Sequence, residues 1–79
     1  MGKDTSTPKK LINRYSNGLI ELEVQANSRE QAWTELTNVG ATVTHCSKPI
    51  ICDFTIAMGK LDGNLIEIEQ LERKGWAWG

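Results

Sequence analysis

The stretch Leu11-Ile12-Asn13-Arg14-Tyr15-Ser16-Asn17-Gly18-Leu19-Ile20-Glu21-Leu22-Glu23-Val24-Gln25-Ala26 decides how the chain is read. Apolar and polar side chains alternate on both sides of Asn17-Gly18, and a period of two is that of a half-buried strand. Asn-Gly is the dipeptide that a two-residue type I′ turn selects, because both central residues take positive φ. Pairing across that turn sets Tyr15 opposite Ile20 and Leu11 opposite Val24 on one face, with Arg14 opposite Glu21 on the other. The pattern predicts an antiparallel hairpin with one apolar and one polar face.

Upstream, residues 1–8 are polar and aperiodic and are expected to form a flexible tail, which leaves 9–79 as a single domain. Downstream the period changes. Ser28 and Gln31 have capping-box spacing, and Ala32, Trp33, Leu36 and Val39 recur at helical intervals. Gly40 is placed to end the helix in the left-handed conformation. So short a helix does not hold alone in water, so it is expected to lie on the sheet with Trp33 as its anchor.

After Gly40 the period of two returns. Ala41, Val43 and His45 are expected inside, with Thr42, Thr44 and Cys46 outside. In the next run Cys52, Phe54, Ile56 and Met58 are expected inside, with Asp53, Thr55 and Ala57 outside. Pro49 cannot take positive φ, so Ser47 to Ile51 reads as a longer loop. A three-residue loop, Leu61-Asp62-Gly63, then aligns a last strand with Ile66 and Ile68 inward and Glu67 and Glu69 outward. The expected fold class is α+β: a small antiparallel-dominated sheet, element order β-β-α-β-β-β, with one helix packed on one face.

Composition narrows the function classes. The chain has 79 residues, 39% hydrophobic and 24% charged, which is the balance of a globular domain. It has no apolar run near the roughly 18 residues of a membrane span and no apolar stretch at its start that suits a signal peptide. No membrane association is expected, and the expected location is cytoplasmic. Two cysteines cannot build a disulfide-dense scaffold. His45, Cys46, Cys52 and Asp53 attract attention as possible ligands, but strand alternation sends neighbours to opposite faces. Zinc needs three or four converging ligands. No metal, cofactor or catalytic residue is therefore expected. The outward carboxylates lack the apolar surroundings that tune acid–base catalysts, and no phosphate loop or nucleophile motif is present. The chain is not expected to be an enzyme.

Charge is uneven. Residues 1–18 carry a local +3, residues 19–72 a local −6, and the end adds Arg73 and Lys74. The expected outer sheet face, with Glu21, Glu23, Glu67, Glu69 and Asp53 beside Arg14, is biased acidic. It suits a protein partner with a basic or nucleic-acid-handling surface. Size, acidic body, missing catalytic apparatus and sheet-plus-helix build make the chain similar to small phage-encoded inhibitors, including anti-CRISPR proteins. That resemblance implies a non-enzymatic viral inhibitor. Two alternatives stand beside it. Lys9, Lys10, Arg73, Lys74, Trp76 and Trp78 would serve a nucleic-acid-binding module, by phosphate contact and stacking. A free sheet edge would serve a homodimer.

Overall fold

The hairpin turn forms as its dipeptide dictates: Asn17 has φ 53° and Gly18 φ 80°. In the computed structural model, which describes residues 8–47 and 55–79, the turn joins β1 (Lys9–Ser16) to β2 (Leu19–Ala26). The chain continues through α1 (Arg29–Asn38), β3 (Thr42–Ser47), β4 (Thr55–Asp62), α2 (Leu65–Arg73) and β5 (Ala77–Trp78). The strands form one five-stranded sheet in the order β3-β4-β2-β1-β5. The β3–β4, β4–β2 and β2–β1 pairs are antiparallel, and β5 lies parallel to β1. The fold is therefore a small α+β domain with a mixed sheet and two helices. The expected tail, Pro49, Cys52, Asp53 and Phe54 lie outside the described residues, apart from Pro8.

Along β2, Ile20, Leu22, Val24 and Ala26 are buried, so the alternation read from the sequence holds there. Tyr15 does pair with Ile20 and Arg14 with Glu21, but Leu11 pairs with Glu23 instead of Val24. A bulge between Ile12 and Arg14 causes the change: Asn13 is an extra residue, which shifts every earlier position of β1 by one. Ile12 thereby enters the core, fully buried, opposite Leu22.

Helix α1 ends as expected at both termini. Ser28 Oγ accepts from the Gln31 N–H at 3.1 Å. Gly40, φ 83°, and Ala41 donate to the carbonyls of Thr37 and Leu36, a pattern that satisfies carbonyls the helix leaves open. Its anchors are Ala32 and Leu36, both fully buried. Trp33 is 55% exposed and is not the anchor. Leu36 rests directly over Gly59 of β4, where an added Cβ would meet its Cδ2 at 3.2 Å and the Thr42 carbonyl at 3.0 Å.

That close approach explains why β4 faces opposite to the expectation. Thr55, Ala57 and Gly59, all small, point under α1, while Ile56 and Met58 take the other face. A second bulge, between Val43 and His45, makes Thr44 an extra residue and reverses the remainder of β3. Cys46 thus packs against the core and His45 is exposed.

The expected final strand is α2. Asn64 Oδ1 accepts from the Ile66 and Glu67 N–H groups at 2.9 and 3.3 Å, which caps the helix. Gly75, φ 100°, and Trp76 close its other end by donating to Glu72 and Leu71 carbonyls. Ile68 and Leu71 join the same core cluster as Leu36, Leu22 and Ile12. Both helices therefore cover one side of the sheet, and among the described residues nothing covers the other, the bare face.

Candidate functional site

Strand register lays out the bare face as a grid. Directly opposed residues share a face and bring their Cβ atoms to about 4.5–5.5 Å. Reading from β3 towards β1, one row is Thr42, Lys60, Glu21 and Arg14. The next is His45, Met58, Glu23 and Leu11, continued by Ala77 on β5. A third runs Ile56, Gln25 and Lys9. At the hairpin end, Asp62, Leu19 and Ser16 make a fourth. Leu11, Leu19, Ile56 and Met58 are half-buried, so aliphatic surface is interleaved with charge of both signs.

Glu23 sits at the centre of this grid. Asn13 Nδ2 donates to its Oε1 at 3.0 Å, and Gln25 Nε2 donates to its Oε2 at 2.9 Å. The Gln25 and Asn13 amides hold its carboxyl below the usual glutamate range against the opposing effect of burial, with a lesser contribution from Lys9. The bulge that displaces Leu11 is thus also what supplies Asn13 as a donor. A carboxyl depressed in the folded state contributes stability above its unfolded pKa, and that contribution fades as pH falls through the folded value. In an NMR titration the Glu23 side chain should have its midpoint below that of a free glutamate. Gln25→Ala and Asn13→Ala should each raise it, and an unmoved midpoint in both variants would remove these amides as the cause.

Of the residues expected to bind a partner, Arg14, Glu21 and Glu23 share this face. Glu67 and Glu69 do not, because they belong to α2 on the opposite side, half-buried and exposed respectively. Asp53 lies outside the described residues. Lys9, Arg14 and Lys60 balance Glu21, Glu23 and Asp62 on the described face, so the expected acidic bias is absent from it. Alternation alone does not reveal Met58, Ile56 and Lys60 as face residues, because it leaves the orientation of β4 open, and it does not reveal Asn13, because it carries no sign of a bulge.

The alternative basic and aromatic set is divided between the two sides. Lys9 lies on the bare face. Lys10 lies beneath the helices, where its Nζ donates to the Lys74 carbonyl at 3.1 Å and stands 3.7 Å from Glu35 Oε1. That position, at the C-terminus of α2, is favourable for a cation. Trp76 is buried, at 3% exposure. Trp78, half-exposed at the sheet edge, donates from Nε1 to Glu72 Oε2 at 3.0 Å. Arg73 and Lys74 are exposed.

On the helix side, Arg29, Glu30, Trp33, Thr34 and Cys46 line an open groove of about 460 Å³. Cys46 is a free thiol. Among the described residues no group of three or more His, Cys, Asp or Glu side chains is placed to hold a metal ion. No described helix is long and apolar enough to cross a membrane. No protein-family model, curated protein or solved structure matches the chain.

Proposed function

We propose that the chain is a non-enzymatic protein-binding domain that engages its partner through the bare face of the sheet. The observation that carries this reading is the grid itself: half-buried Leu11, Leu19, Ile56 and Met58 interleaved with Arg14, Glu21, Glu23 and Lys60 on a face that neither helix covers. Apolar surface framed by oriented charge is the composition of a recognition patch, in which burial supplies affinity and charge supplies register. Glu23 is suited to such burial, since both its oxygens already accept a hydrogen bond.

The partner this face selects is one of mixed charge. A monopole of either sign would favour an oppositely charged surface, but here cations stand on both sides of Glu21 in its row. A photo-crosslinking amino acid placed at Met58, and in a separate variant at Glu69 on α2, tests the reading in expressing cells. Protein adducts should form from position 58, disappear when Glu21→Lys is added, and be missing from position 69. Adducts from position 69 alone, adducts only with nucleic acid, or none at all would refute it.

A further inference from the structure

The charge pattern of the bare face is complementary to itself, and from this we infer that its partner is a second copy of this chain, stacked face to face. The inference rests on the protein-binding reading and names the occupant of that face. A two-fold axis running along the strands, midway between β2 and β4, exchanges those two strands and keeps every row at its own level. Lys60 of one copy then stands over Glu21 of the other, and the contact occurs twice, as a two-fold requires. Met58 of each copy covers the second copy's Glu23, whose oxygens its own Asn13 and Gln25 already occupy. Turning the axis across the strands instead would set Glu23 against Glu23 and Arg14 against Lys9, so the charges select the first arrangement.

Dimensions agree with this occupant. Four strands spaced about 4.8 Å and about eight residues long give a face of about 500 Å² per copy. Two copies together bury about 1,000 Å², near the lower limit of specific interfaces. Sheets stacked in this way keep their strands within about 30° of each other, as aligned sandwiches do. The pair is therefore a dimer that dissociates on dilution.

A charge exchange tests the arrangement. In sedimentation velocity, the wild-type mass should rise with concentration from one chain towards two. Glu21→Lys and Lys60→Glu, each alone, should weaken self-association by on the order of tenfold or more, because each places like charges in both contacts. Mixing the two variants should restore association, since every intermolecular contact again joins opposite charges. The in-sheet Glu21–Lys60 neighbours remain mismatched within each chain, so recovery on mixing cannot come from repaired monomers. Met58→Glu, with an unchanged melting curve, should also abolish the dimer, because it sets a carboxylate over Glu23 of the other copy in both contacts. A wild-type chain that stays monomeric up to about 1 mM, where even the weakest specific contacts register, would overturn the inference. Equal self-association in the single variants, or no recovery on mixing, would do so too. Adducts from position 58 to a different protein, with a monomeric chain, would leave the protein-binding reading standing and remove only the second copy.

Discussion

Leu36→Ala is expected to remove much of the domain's stability, at about 2–5 kcal/mol. Leu36 is fully buried and is the side chain by which α1 meets the sheet over Gly59. Glycine offers no side chain to fill the space that truncation leaves, and the Thr42 carbonyl on the far side is held within the sheet, so the site cannot readily collapse. A domain of this length has a total of roughly 4–12 kcal/mol, and each kcal/mol is worth about 4–8 °C in melting temperature. The same truncation at Leu65, which is 65% exposed, should change stability by no more than about 0.5 kcal/mol. Urea denaturation of the two variants makes the comparison. Equal losses would mean that α1 is not held through Leu36.

Gly63→Ala is expected to cost about 1–3 kcal/mol by overpacking. Its backbone does not occupy the left-handed region, so the effect is one of space. An added Cβ would lie 2.6 Å from Glu67 Cγ, 2.9 Å from Glu67 Cβ and 3.2 Å from Ile20 Cδ1. The Glu67 Cβ is fixed to the first turn of α2, so relief requires the turn itself to move. That turn is held by the Asn64 cap, and Gly63 is tied to the hairpin by its N–H donating to the Gly18 carbonyl at 2.9 Å. The strain therefore reaches Ile68 and the β1–β2 turn together. A fall in melting temperature of about 5–20 °C is expected, with loss of helical circular dichroism at or before the main transition. Glu69→Ala, on the exposed side of the same helix, is the control and should leave the curve within a degree or two. A Gly63→Ala melt that overlays the wild type would show that α2 is not seated against this junction.

How much of the fold is legible in the sequence depends on the range of the forces involved. The β1–β2 turn and both ends of α1 depend on residues within a few positions of one another, and Asn17-Gly18, Ser28 and Gly40 announce them. Helix α2 is hidden because Leu65 to Glu69 satisfies a period of two as readily as a helical one. The deciding signs, Asn64 three residues before Glu67 and Gly75 after Lys74, lie outside that window. The orientations of β3 and β4 depend on distant contacts. Leu36 demands a residue without a side chain at Gly59, and the bulge at Thr44 reverses the rest of β3. The candidate face divides in the same way. Arg14, Glu21 and Glu23 are legible from the hairpin, whereas Met58 and Lys60 need the orientation of β4, and Asn13 needs the bulge.

The parallel pairing of β5 with β1 has a consequence for biosynthesis. Ile12 pairs with Trp78, its carbonyl accepts from the Gly79 N–H at 3.0 Å, and Trp76 completes the same core. These contacts join segments separated by nearly the whole domain, and such closures are the slow part of folding. Until residues 76–79 have left the ribosome, the nascent polypeptide carries β1 as an uncovered edge beside a vacancy shaped for an indole ring. Folding of this domain therefore finishes after translation of that stretch. In the interval the emerging chain presents the kind of surface that holding chaperones bind.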